Sequence, residues 1–155
     1  KGVKSEDEER YMITKSAHQF CKPAIEPDFE EIYVDDKLVL VVKIAASDTK
    51  PHYALDENKK WWVYYRVNDK SILASKIIVD VIKKSNVPTG QLISYTEHEK
   101  KLFDYLKLEG RITLKQFSKI TRNSYRQAQK ILVSLILSGV NKPVTAEKEE
   151  YYISA

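Results

Sequence analysis

The chain has 155 residues, 43% of them apolar and 31% charged, the make-up of one or two folded domains and not of a disordered or fibrous chain. No stretch of about 18 apolar residues occurs, which argues against a membrane-spanning helix, and the polar N-terminus lacks the basic-then-apolar order of a signal peptide. Cys21 is the only cysteine, so an internal disulfide is excluded and a reducing, cytoplasmic setting is expected.

Charge is distributed unevenly. Residues 1–85 hold 15 Lys/Arg and 15 Asp/Glu, whereas residues 86–155 hold 11 and 7, so the second part carries all of the net +4. A neutral part joined to a basic part is expected where only one of them meets a polyanion. The chain begins with Lys1, and its only methionine is Met12, from which a fragment of something longer is expected.

Ser5 and Glu8 have the spacing of a capping box, and Glu6, Asp7 and Glu9 put negative charge where a helix dipole is positive. A first helix is therefore expected to about Lys22, with Met12, Ile13, Ala17 and Phe20 as its apolar side and Pro23 closing it. Asp28–Val34 and Lys37–Ala46 read as a hairpin turning at Asp35-Asp36. The second arm, LVLVVKIA, is nearly continuous in apolar residues and is expected to be an interior strand covered on both faces. Ser47–Lys60 reads as a polar loop fixed by Lys50-Pro51.

Trp61–Val67, WWVYYRV, reads as one strand with two faces: Trp61, Val63, Tyr65 and Val67 on one, Trp62, Tyr64 and Arg66 on the other. An exposed Trp-Tyr-Arg row is a stacking platform for single-stranded nucleic acid; covered on both faces, the same row is ordinary sheet packing. Ser71–Lys84 reads as a helix with Ile77, Ile78, Val81 and Ile82 inward. Asn86–Gln91, with Pro88 and Gly90, breaks any periodicity and opens a linker over 86–94 between a first domain at 1–85 and a second at 95–155.

The second domain carries the sharpest pattern. Thr96 with Glu99, Thr113 with Gln116, and Ser124 with Gln127 are three capping boxes; Gly110 and Gly139 suit helix ends. Leu102, Phe103 and Leu106, then Leu114, Phe117 and Ile120, then Ala128, Ile131, Leu132 and Leu135 give each helix one apolar stripe. Thr113–Ser138 thus reads as helix, three-residue turn, helix, the arrangement whose second helix can enter a DNA major groove. Val144-Thr145 pairing with Tyr151–Ile153 across Ala146–Glu150 adds a wing.

Arg111, Lys115, Lys119, Arg122, Arg126 and Lys130 are six basic residues in a span with no Asp or Glu. Arg122, Asn123, Arg126 and Lys130 are the candidates for contact with phosphates and base edges, with Lys115 and Lys119 steering; a solvated basic face on an interaction module is the alternative. The wing tip, with Glu147, Glu149 and Glu150 against Lys148, is expected to stay off DNA. Val133 and Leu137 fall on the same outward side of the last helix as Lys130, so cover by a partner, by the wing or by the first domain is expected. Dimerisation through this patch is one form of that cover.

No catalytic constellation is legible. His18, His52 and His98 are scattered, none has zinc-ligand spacing, and no nucleophile is paired with a base by any motif. Only Gly2, Gly90, Gly110 and Gly139 exist, which excludes a G-x-x-x-x-G-K-[ST] phosphate loop. No catalytic residue, metal or cofactor is expected.

GVKSEDEERYMI (2–13), FCKPAIEP (20–27), KLVLVVKI (37–44), KPHYA (50–54) and YYRVNDKSILAS (64–75) resemble, in order and spacing, the C-terminal part of the Schlafen AlbA_2 domain, also called divergent AAA-4. In bacterial members this domain is often followed by a winged helix, and the proteins are labelled transcriptional regulators, ATP-binding proteins or divergent AAA proteins. The earlier half of the family pattern is not found here. The resemblance implies that Gly2-Val3 matches the pair preceding the family's next helix, and that Lys50 and Arg66 are the cations best placed to touch nucleic acid in the first half. Some vertebrate relatives are ribonucleases whose acidic residues lie in part in the missing half, so no catalytic residue carries over.

The expectation is an α+β chain: the C-terminal half of an AlbA_2-like domain, then a winged helix-turn-helix, in a bacterial cytoplasmic transcriptional regulator. Its partner is double-stranded DNA, with homodimerisation possible and no membrane involved. The competing reading is a fragment of a Schlafen-like nuclease or nucleotide-binding protein whose winged helix serves dimerisation or partner docking.

Overall fold

A computed structural model describes residues 2–3, 5–85, 95–146 and 149–155. The architecture is mixed α+β, with five helices and small antiparallel sheets among the described residues. Two compact units divide the chain, residues 1–74 and 75–155. None of the described helices is long and apolar enough to cross a membrane.

The first unit opens with α1 (Glu6–Gln19), whose first turn holds Glu6, Asp7, Glu8 and Glu9. The expected Ser5–Glu8 box does not form, because the Ser5 side chain makes no capping hydrogen bond. Charge at the positive end of the helix supports that start instead, and Glu6 is drawn to Arg10, one turn on at 2.5 Å. Arg10 also reaches Glu31 at 2.7 Å and lies over the Phe29 ring. The helix stops short of Lys22, since β1 (Cys21–Lys22) pairs with β4 (Tyr53–Leu55). Met12 and Phe20, expected on the inner side, are exposed.

The hairpin of β2 (Pro27–Val34) and β3 (Lys37–Ile44) turns at Asp35 and Asp36, both at positive φ, the left-handed pair a two-residue hairpin turn demands. β3 is not the interior strand its composition suggests. It pairs with β2 alone among the described residues, and Val42 and Ile44 are exposed; an apolar run shows what a strand could bury, not what lies beside it.

The expected loop 47–60 contains a strand, β4, flanked by β1 and β5 (Trp61–Trp62). The expected strand 61–67 breaks at Val63, which is buried, and resumes as β6 (Tyr64–Val67). β6 folds back on β7 (Lys70–Leu73) through Asn68 at positive φ. That pairing takes Ser71–Leu73 out of the expected helix, so α2 (Lys76–Ser85) begins five residues later than Ser71, with the Ile78 amide donating to Ser75 Oγ at 3.3 Å.

The second unit contains α2 as well as α3 (Glu97–Glu109), α4 (Leu114–Thr121), α5 (Tyr125–Leu137) and the hairpin of β8 (Asn141–Ala146) and β9 (Glu149–Ser154). The linker expected at 86–94 lies outside the described residues. α2 packs on α5, so it belongs with the second unit and not with the residues before it. Capping boxes at Thr96–Glu99 and Thr113–Gln116 form in full. At Ser124 only half forms: Ser124 Oγ accepts from the Gln127 amide at 3.3 Å. Gly110 ends α3 at φ 72, a conformation in which a Cβ would be strained.

Leu102, Leu106, Phe117, Ala128, Leu132 and Leu135 meet in one core with Ile77, Ile112, Val133 and Tyr152. Ile112 bridges to Tyr152 through two backbone hydrogen bonds, of 2.9 and 2.7 Å, tying the approach to α4 onto β9. The small Ala128, fully buried, lets α4 and α5 approach closely. Val133 and Leu137 do not form a free interaction surface. Val133 is 2% exposed and Leu137, half-buried, packs against the same core; α2, from the stretch 1–85 expected as one form of cover, packs on α5.

Candidate nucleic-acid interface

The connection between α4 and α5 is three residues long and held at every point. Arg122 sits at φ 54, ψ 28 with its amide donating to Ser118 and Lys119 carbonyls. Asn123 donates its amide to the Ser118 carbonyl at 3.1 Å and accepts at its own carbonyl from Ser118 Oγ at 2.8 Å. Ser124 caps α5. A non-glycine residue in the left-handed region is uncommon, and here it turns the chain within one residue so that α5 starts at once.

The turn leaves the cations outside. Lys115, Lys119, Arg122, Arg126 and Lys130 are all exposed, and none of them forms an ion pair among the described residues. Arg111 is exposed too and lies over the Tyr151 ring, 5.2 Å from its centre. Asn123 is half-buried in the turn, and Tyr125, beside Arg126, is 55% exposed. Unpaired, solvated lysines and arginines on a rigid pair of helices are suited to phosphate, since no internal bond must break before they bind.

The β8–β9 hairpin is longer than expected, pairing from Asn141 with Ser154 to Ala146 with Glu149. Glu147 and Lys148, expected at its tip, lie outside the described residues. Glu149 is exposed, but Glu150 is turned inward: its carboxylate accepts from Ser75 Oγ at 2.9 Å and from the Tyr152 hydroxyl. Glu150 therefore joins Ser75, the residue before α2, to the hairpin and is less of an electrostatic obstacle than its sequence position suggests.

In the first unit, burial alternates from Val63 to Val67 as the two-face reading requires: Val63, Tyr65 and Val67 inward, Tyr64 and Arg66 outward. Trp62 is 37% and Tyr64 51% exposed. Arg66 is committed within its own hairpin, Nε donating to the Asn68 carbonyl at 3.1 Å and Nη1 to Ser71 Oγ at 3.4 Å. Lys50 is exposed and lines a different place, a hollow of about 370 Å³ that it shares with Ile25, Ile44 and His52; Arg66 does not line it.

Asp56 fixes the Trp62 indole, Oδ1 accepting from the Lys60 amide at 2.7 Å and Oδ2 from Trp62 Nε1 at 2.8 Å. The Lys60 amide first, then the Trp62 indole, keep its carboxyl below the ordinary carboxylate range. A depressed native pKa means that the stabilisation is present above the unfolded value, about 3.9, and is lost as pH falls through the native one. In a Trp61→Phe background, Asp56→Ala therefore shifts Trp62 emission at neutral pH, and acidification through the native Asp56 pKa, which lies below the unfolded value, reproduces the shift in the chain that keeps Asp56. Emission independent of pH down to 2 contradicts this.

Among the described residues no three His, Cys, Asp or Glu side chains lie together as metal ligands. Position 98 was missed as a site residue by sequence reasoning. His98, on α3, lines a hollow with Asn123 and Lys130, and the only prior signal was that α3 starts with a capping box. No curated protein and no solved structure matches the chain. Residues 1–75 match the family Schlafen, AlbA_2, which supports a Schlafen/AlbA_2 domain over that stretch and points to a nucleic-acid-related role.

Proposed function

We propose that residues 75–155 act as a winged helix that binds double-stranded DNA, and that the chain belongs to a transcriptional regulator in which a Schlafen AlbA_2 domain is joined to this reader. α4 and α5 are the helix-turn-helix, α5 is the recognition helix, and β8–β9 is the wing. The observation that carries the reading is the run of five exposed cations from Lys115 to Lys130, without ion-pair partners among the described residues, on two helices locked by a left-handed Arg122. Arg126, on the outer side of the first turn of α5, reads a base edge, while Lys115, Lys119, Arg122 and Lys130 meet phosphates.

The outward Trp62 and Tyr64 favour a second contact in the same protein, with an unpaired strand on the first unit; Lys50 and Arg66 are the cations there, Arg66 less freely because of its hairpin bonds. Docking through Val133 and Leu137 is not part of this reading, since Val133 is buried in the core and Leu137, half-buried, packs against it.

The test is Arg126→Ala. Losing a bidentate base contact costs about 1–3 kcal/mol and relaxes discrimination at one position. Competition against random duplex, read by fluorescence anisotropy, checks both. Unchanged affinity together with an unchanged salt slope rejects the assignment.

A further inference from the structure

We propose that the hollow between the start of α3 and the outer face of α5 is an anion site that seats one backbone phosphate of a bound duplex; this rests on the DNA-binding reading above. The hollow is open, about 360 Å³, and is lined by His98, Asn123, Gln127, Lys130 and Ile131. Asn123 Nδ2 is a pure donor, buried and without a hydrogen-bond partner among the described residues. His98 Nδ1 is buried and unpartnered in the same way, and it donates whenever it carries the ring proton. Lys130 adds a positive charge with three donors, and no carboxylate lines the hollow.

Residues bearing these groups line the hollow from three elements: α3, the turn and α5. A tetrahedral oxyanion supplies several strong acceptors at once, and charge-assisted bonds are the strong ones. Position argues for a backbone phosphate as its source. Lys130 lies about 40° round the helix from Arg126 at 3.6 residues per turn, so the hollow flanks the face assigned to base edges. Asn123 cannot drift, since its amide and carbonyl both bond Ser118. Anchoring a phosphate there fixes the register of α5, the task that backbone contacts perform.

The test uses Asn123→Asp, which keeps shape but replaces a donor by a negative charge, and Lys130→Gln, at an exposed position where folding is not at stake. Both are titrated against duplex DNA beside Arg126→Ala, with thermal midpoints as controls. Asn123→Asp is expected to weaken binding at least about tenfold, and Lys130→Gln to reduce the salt slope by about 0.9. In parallel, inorganic phosphate titrated into the intact chain is expected to move the His98 ring resonances, and the shift to vanish in Asn123→Asp.

If both variants bind duplex like the parent while Arg126→Ala weakens it, the anion site is overturned and the DNA-binding reading stands. If the parent binds no duplex yet inorganic phosphate moves His98, the source is free phosphate: the register role is overturned with the DNA-binding reading, and the anion site stands. Absence of both effects overturns the anion site outright. Should Asn123→Asp fail to fold, Lys130→Gln and the His98 resonances decide alone.

Discussion

Replacing Lys115, Lys119, Arg122 and Lys130 together by glutamine is expected to lower duplex affinity by about 10²–10³-fold near 0.15 M salt, and to flatten the dependence of log K on log salt by about 3.6. The size follows from counterion release: each phosphate neutralised contributes about 0.9 to the slope, so four lost charges remove most of the non-specific term. Glutamine has a helix propensity close to that of Lys and Arg, and all four side chains are exposed, so the thermal midpoint should move little. Anisotropy titrations at three salt concentrations separate the two effects. An affinity loss without a change of slope contradicts phosphate contact and points to lost shape.

Phe117→Ala is expected to cost about 3–5 kcal/mol, enough to unfold much of the second unit at ambient temperature. Phe117 is fully buried on α4, in one core with residues from α2, α3, α5 and β9. Its removal leaves a cavity that fixed backbones can only partly close. Phe20→Ala is the control: Phe20 is 49% exposed, and outside special contacts such changes stay within about 0.5 kcal/mol. Urea unfolding followed by circular dichroism measures both. Equal costs for the two phenylalanines contradict the core described.

What could be read ahead of the coordinates was what depends on neighbours in sequence. Thr96, Thr113, Gly110 and the turn at Asp35-Asp36 act within a few residues, and each does what its type and spacing suggest. The cations of α4 and α5 were legible for the same reason, a helical projection being a local construction. β4 was not, because Tyr53–Leu55 is a strand only through Cys21-Lys22 on one side and Trp61-Trp62 on the other. Nor was the start of α2: the helical period of Ile77–Ile82 extends backward over Ser71–Leu73, which the turn at Asn68 claims for a hairpin.

Cover over Val133 and Leu137, by a partner, the wing or the first domain, was legible, but a projection of α5 shows only which residues point away from α4 and not that α2 is the element that lies there. His98 is the same case for the candidate site: it becomes a partner of Asn123 and Lys130 only when α3 is folded beside α5.

The central claim is that the basic face of α4 and α5 holds duplex DNA by its phosphates. The most direct measurement is the anisotropy of labelled random duplex and of single-stranded RNA titrated with the chain at about 50 and 200 mM salt, the range over which phosphate-dominated affinities fall steeply. The account predicts duplex binding that weakens by at least about tenfold between the two conditions. No duplex binding at protein concentrations above about 10⁻⁴ M, or binding indifferent to salt, contradicts it.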